Sequence, residues 1–154
     1  IIGSPIKSIN ANGTKVVSVS PDIVNARIEF KNKCVANLTA SRISLKKMRK
    51  MRLFQRDSYI SIDFDKGSSE QVKIVDYDKT NKYALTLKDS EGKLKEIKIT
   101  NYKNQNLNAI VEEHNNFYNS IIKKTNPEVS FKEGLKALEV AILILNKINN
   151  DWEV

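Results

Sequence analysis

The sequence of 154 residues has a single cysteine, Cys34, and a single histidine, His114. One thiol cannot close an intramolecular disulfide or build a multi-cysteine zinc site, and one imidazole cannot supply a histidine-rich metal centre. The five glycines, Gly3, Gly13, Gly67, Gly92 and Gly134, all stand alone, so there is no glycine-rich phosphate loop. No apolar run reaches the roughly 18 residues of a membrane span, and the opening residues do not read as a signal peptide. Those absences lead to the expectation of a cytoplasmic protein that does not engage a membrane. A further absence is local: from Ser41 to Arg56 there is no acid.

Within that stretch stand seven bases, Arg42, Lys46, Lys47, Arg49, Lys50, Arg52 and Arg56, against a net charge of +8 for the whole chain. The protein is therefore basic in one place. Interleaved with Met48, Met51, Leu53 and Phe54, the run fits a patch that grips phosphates on a small ligand, or a nucleic-acid surface over residues 42–56. It fits equally a solvated connection whose charges blunt an exposed strand edge. Chemistry alone leaves the three open.

Length and a composition of 40% hydrophobic and 29% charged residues suit one globular domain over residues 1–154. Ile1-Ile2 followed by Gly3 and Pro5 reads as the apolar end of a helix. Strand patterns then begin. Pro5 to Ile9 is a short extended segment, Asn12-Gly13 a turn signal, and Lys15 to Ser20 a continuing strand before the Pro21-Asp22 break. In Ile23 to Phe30, Val24, Ala26, Ile28 and Phe30 alternate with Asn25, Arg27 and Glu29, which buries one face only. Cys34, Ala36, Leu38 and Ala40 alternate likewise after the turn at Lys31-Asn32-Lys33, predicting an antiparallel hairpin with room for a helix on its small-residue face. Leu45, Met48 and Met51 have helical spacing within the basic connection. Met51 to Gln55 and Asp57 to Asp65 read as strands, Gln71 to Tyr77 with Lys82 to Lys88 as a second hairpin, and Lys93 to Thr100 as a last strand.

Two helices close the chain. Leu107, Ile110, Val111, His114, Phe117, Tyr118, Ile121 and Ile122 repeat at i, i+3, i+4, i+7 after a cap at Asn106. Ser130-Phe131-Lys132-Glu133 is a capping box, and it opens a helix whose stripe of Leu135, Leu138, Ile142, Leu145 and Ile148 predicts deep burial. Half-polar strands followed by segregated helices predict an α+β domain, a largely antiparallel, open-faced sheet with helices packed on one face. His114 reads as structural, because its i+4 neighbour is Tyr118 rather than a second ligand. Asp63 and Asp65 share one strand face but supply too few oxygens for a hard cation. Trp152 reads as a packing anchor or interface residue. No catalytic apparatus assembles from these residues.

The stretch from Pro21 to Arg42, two alternating strands about a short Asn-containing turn ending in Ala40-Ser41-Arg42, resembles the C-terminal domain of the glucose–fructose oxidoreductase/inositol dehydrogenase/rhizopine catabolism (Gfo/Idh/MocA) family. Arg52 to Asp63 looks like that family's Phe-Gly-x-x-Gly-x-Leu-x-x-Asp segment. Phe117 to Leu145, with Val129-Ser130 and Gly134-Leu135-Lys136-Ala137-Leu138-Glu139-Val140-Ala141, is similar to its ending. Gln55 and Ser58 stand where the family has glycines, so that turn is expected to differ.

The resemblance implies several things about function. Family members bind NAD or NADP through an N-terminal Rossmann domain that also carries a catalytic lysine in a Glu-Lys-Pro motif, and neither is present here. This polypeptide is then expected to be the substrate and oligomerisation domain of a longer NAD(P)-dependent sugar or sugar-nucleotide oxidoreductase, with no cofactor site or catalysis of its own. Ser41 and Arg42 are implied to approach the substrate, and Lys46, Lys47 and Arg49 to meet a diphosphate. The expected partners are another copy across the open sheet face and the missing Rossmann domain. Nucleic acid becomes the alternative.

Overall fold

The computed structural model describes residues 2–81, 83–103 and 108–150. Eight strands precede two helices: β1 (Ile6–Thr14), β2 (Ile23–Phe30), β3 (Val35–Ser41), β4 (Lys50–Phe54), β5 (Ser58–Asp63), β6 (Ser68–Asp76), β7 (Leu85–Lys88), β8 (Leu94–Lys103), α1 (Ala109–Lys123) and α2 (Phe131–Asn150). Every strand pairing among the described residues is antiparallel, in a three-stranded sheet β1-β2-β3 and a five-stranded sheet β4-β5-β6-β8-β7. The fold is α+β with open sheets, as the segregated patterns predict. No described helix is long and apolar enough to cross a membrane. The chain forms two compact units, one from the described residues up to Leu45 and from Asn119 onward, the other Lys46–Tyr118.

In the first unit the period-2 pattern decides both sheet faces. The register aligns Ala11 with Ala26 and Ile9 with Ile28 on the side that α2 covers, where Ala11, Ala26, Ile28, Ile144 and Ile148 form the core. The opposite face is a polar ladder: Thr39 Oγ1 donates to Asn25 Oδ1 at 2.8 Å, and the Arg27 guanidinium donates to Asn37 Oδ1 at 3.3 Å. The hairpin turn holds Lys33 at φ 69°, and Asn32 Oδ1 accepts from the Cys34 amide. At Gly13 the sheet meets the helix closely, since a Cβ there would lie 2.9 Å from Cγ2 of Ile148 and 3.2 Å from Cβ of Pro21.

Helix α2 starts at the predicted capping box. The Ser130 amide and hydroxyl donate to Glu133 Oε2 at 2.7 and 2.9 Å, and the Glu133 amide returns to Ser130 Oγ. Its burial is shallower than the stripe predicts: Ile144 and Ile148 are buried, but Leu135, Leu138, Ile142 and Leu145 remain 42–58% exposed. Three strands about 4.8 Å apart make a platform roughly one helix diameter wide. Such a platform covers one line of the stripe and leaves its flanks in water.

Other expectations fail for local reasons. Strand β1 runs straight through Asn12-Gly13, and residues 16–20 form bends rather than a strand, because the Asp22 carboxylate takes the amides of Val16, Val17 and Ser18. Ile2 to Pro5 form no helix, and Ile1 lies outside the described residues. Residues 42–49 also form none. Arg42/Lys46 and Lys46/Lys50 would stack like charges at i,i+4 on a helix there.

In the second unit β7 pairs with β8, and β8 separates it from β6, so the predicted hairpin of β6 with the following strand is absent. Asp89 Oδ1 accepts from the Glu91 and Lys93 amides, and Gly92 takes φ 78°, closing a tight β7-β8 turn instead. Lys82 lies outside the described residues. The register gathers Phe54, Tyr59, Val72 and Ile99 into one cross-strand row, with Ile74, Ile97 and Leu85 in the next. The Phe54 and Tyr59 rings lie 5.1 Å apart, yet Phe54 is 77% exposed. Helix α1 is capped by Asn108, whose Oδ1 accepts from the Ile110 and Val111 amides. Asn106 and Leu107 lie outside the described residues.

Candidate functional site

Asp22, which the sequence reading treats only as part of a break, is a buried charge of the first unit. Its side chain is buried, and Oδ2 accepts the amides of Val16, Val17 and Ser18 at 2.8, 2.8 and 3.0 Å. Those amides hold the carboxyl well below the usual carboxylate range, against an opposing push from desolvation. Arg42, predicted to face the substrate, is bound to the same residue twice. Its amide donates to the Asp22 carbonyl at 3.0 Å, and its Nε stands 3.5 Å from Asp22 Oδ1. That second contact is an ion pair without an aligned hydrogen bond, and the Arg42 side chain remains 57% exposed. Ser41 ends β3 with its hydroxyl accepting from Ser44 Oγ at 2.8 Å.

The remaining predicted residues belong to the second unit. The Phe64 amide donates to the Arg49 carbonyl at 2.9 Å, and Lys50 pairs with Asp63 in the β4-β5 register. These contacts fix the basic connection beside the β5-β6 turn, where Gly67 has φ 58°. Lys50 Nζ lies 3.4 Å from Asp63 Oδ2, and Asp63 Oδ1 accepts from the Lys66 amide at 3.1 Å. Desolvation pushes the Asp63 carboxyl up, but the Lys66 amide and the Lys50 ammonium outweigh it and hold the group below its ordinary range. Among the described residues no carboxylate stands within ion-pair distance of Lys46, Lys47 or Arg49.

Two cavities adjoin this turn. A recess of about 180 Å³ is lined by Lys46, Lys47, Lys50 and Lys66 with Asp63 and Asp65, and Met48 completes its wall. An open cleft of about 1270 Å³ lies at the same end of the sheet, between the turn, the end of β8 and the first turn of α1. Asp63, Asp65 and Lys66 line both. The structure thus brings Lys46 and Lys47 together, adds Lys50 and Lys66, and does not include Arg49 in the lining. Lys66 could not be singled out from the sequence, since only the turn at Gly67 returns it toward the basic run.

Other candidates resolve as structural. The His114 ring shares a 2.8 Å hydrogen bond between Nδ1 and the Ile110 carbonyl within its own helix. No group of three or more potential metal ligands occurs among the described residues. Glu96 is buried on β8, where Oε1 accepts from Asn81 Nδ2 at 3.1 Å, a contact with no sequence signal. Trp152 lies outside the described residues.

Comparison with known proteins adds four findings. Residues 7–154 match the sequence profile of an oxidoreductase family, C-terminal α/β domain. A stretch of 64 residues is 36% identical to UDP-N-acetylglucosamine 3-dehydrogenase of Acidithiobacillus ferrooxidans, covering 42% of this chain and 20% of that protein. A crystal structure of that dehydrogenase superposes with a TM-score of 0.77 at 23% identity, over 95% of this chain and 43% of that one. An NAD-binding protein from Listeria innocua superposes with a TM-score of 0.64 at 18% identity, over 97% and 45%. At those identities the structural likeness is one of fold. The chain spans a fifth of the curated relative it matches and less than half of each solved one.

Proposed function

The chain belongs to the C-terminal α/β domain of the Gfo/Idh/MocA oxidoreductase family, and from that premise we propose that it is the substrate-binding and oligomerisation part of an NAD- or NADP-dependent enzyme acting on a sugar or sugar nucleotide. The observation that carries the reading is the family match over residues 7–154. The curated relative's action on UDP-N-acetylglucosamine supports a nucleotide-linked substrate.

The residues present do not fit a nicotinamide dinucleotide. Such cofactors sit at a glycine-rich turn between a strand and a helix that returns to a parallel neighbour. Here every described strand pair is antiparallel, and Gly67 and Gly92 lie in turns between strands. The cofactor and the hydride chemistry therefore fall to the rest of the full-length enzyme. This chain contributes binding.

In the first unit the exposed Arg42, with Ser41 beside it, is available to the substrate; in the second, Lys46, Lys47 and Arg49, with no carboxylate within ion-pair distance among the described residues, are available to a diphosphate. In the full-length enzyme, Arg42→Ala/Lys47→Ala is expected to raise KM for a UDP-sugar about tenfold or more, from the loss of charge-assisted hydrogen bonds. Unchanged KM sinks the assignment of these residues. The row of Phe54, Tyr59, Val72 and Ile99 is the flat, partly apolar surface on which a second copy would pair. Phe54→Glu is accordingly expected to lower the oligomeric state in sedimentation velocity.

A further inference from the structure

The lysine recess and the open cleft differ in chemistry but touch. Four lysines and two aspartates line the recess, so the residues around it carry an excess of positive charge, and its volume of about 180 Å³ suits one compact anion rather than a ring system. Lys46 and Lys47 line it with no carboxylate within ion-pair distance among the described residues, while Lys50 and the turn are already held by Asp63. An arriving anion thus meets a framework that needs little rearrangement.

The cleft has a different lining. Phe64 and Tyr102, residues 49% and 57% exposed, line it together with Ser68, Ser69 and Asn101, which carry short donors and acceptors. Partly exposed aromatic residues bordered by hydroxyl, amide and carboxylate groups suit a flat, hydroxyl-bearing ring. Apolar C–H faces of such a ring stack on the aromatics while its hydroxyls exchange hydrogen bonds with the rim. Asp63, Asp65 and Lys66 form the shared wall between the two compartments.

We infer that the end of the five-stranded sheet is a two-compartment site for a sugar phosphate, with the phosphate in the recess of Lys46, Lys47, Lys50 and Lys66 and the sugar ring in the adjoining cleft against Tyr102 and Phe64. The inference deepens the functional reading above and rests on it for the ligand being a substrate. The location and the division of labour rest on the geometry of this turn. Asp63 is a positioning residue in this arrangement, because it orients Lys50 and the backbone at Lys66 without needing to touch the ligand.

The test is direct titration of this chain, followed by amide chemical shifts, with inorganic phosphate, free glucose and glucose 1-phosphate. Glucose 1-phosphate is expected to perturb both Lys46–Lys50 with Lys66 and Ser68–Ser69 with Tyr102. It should bind about tenfold or more tightly than inorganic phosphate, because the second contact becomes intramolecular. Lys47→Gln/Lys66→Gln should weaken both anions about tenfold at low salt. Tyr102→Ala should remove the advantage of glucose 1-phosphate over phosphate, leave phosphate itself unchanged, and be rescued by Tyr102→Phe. The inference is overturned if glucose 1-phosphate binds no better than phosphate, if Tyr102→Ala leaves its advantage intact, or if the shifts map elsewhere. Because no cofactor or turnover is involved, the outcome separates from the functional reading. A full-length enzyme that oxidises a sugar nucleotide, while this chain ignores glucose 1-phosphate, would refute the site and spare the function. Binding here by a full-length protein without oxidoreductase activity would do the reverse.

Discussion

Replacing Gly13 by alanine should destabilise the first unit, chiefly through Ile148. The new methyl would sit 2.9 Å from Cγ2 and 3.2 Å from Cδ1 of Ile148, which is 1% exposed, and 3.2 Å from Cβ of Pro21. Cγ2 branches directly from Cβ and cannot swing away as a flexible chain end could, so helix or strand must shift. Overpacking of this kind costs about 1–3 kcal/mol. Losing glycine's freedom in the unfolded chain offsets about 0.5–1 kcal/mol. A net loss of about 1–2 kcal/mol is expected. Ile148→Ala alone, which empties the same place, should cost about 4 kcal/mol. It also removes both Ile148 atoms that the methyl would strike. In the double variant the alanine methyl therefore meets only Pro21 Cβ of those atoms, and the combined loss should be about 1 kcal/mol or more below the sum of the singles. Urea unfolding followed by helical circular dichroism measures all three. A cycle that closes to within about 0.5 kcal/mol would refute the claim that Gly13 is required by the approach of α2.

Three further outcomes follow from the structure. The Asp22 carboxyl is depressed in the folded chain, so its contribution is present above the unfolded carboxylate value near 3.9 and is lost as pH falls through that value toward the folded one. Asp22→Asn should flatten the acid limb of stability below about pH 4 and open residues 15–20 to limited proteolysis at neutral pH; an unchanged cleavage pattern would speak against the anchor. Ser130→Ala should cost about 1 kcal/mol in thermal unfolding by removing the cap of α2. Calorimetry of this chain with NAD or NADP should show no binding, and a gel shift with DNA none at physiological salt.

What could be read in advance was local. The β2-β3 hairpin follows from strict alternation about Lys31-Asn32-Lys33, and the α2 start from four consecutive residues. The family resemblance was carried by the order of such short pieces. The pairing of β6 with β8 was not legible, because no residue near Asp76 says which later strand will lie beside it; the tight Asp89–Lys93 turn claims β7 for β8 first. Asp22 was invisible for a related reason, since its partners are backbone amides that every residue but proline carries. Lys46 and Lys47 stood out as charges, but their company with Lys66 needs the chain to fold back through Gly67. The shallow seat of α2 depended on the width of its sheet, which no helical stripe encodes.

The Asp22 anchor has a consequence for how this chain can vary. It reads amide protons, so it is blind to the side chains at Val16 and Val17, which are 56% and 79% exposed. Those two positions can drift through nearly the whole amino-acid alphabet while the loop keeps its path, and proline is the residue the anchor forbids. A library randomised there, and selected only for folding, should return diverse sequences around an invariant Asp22.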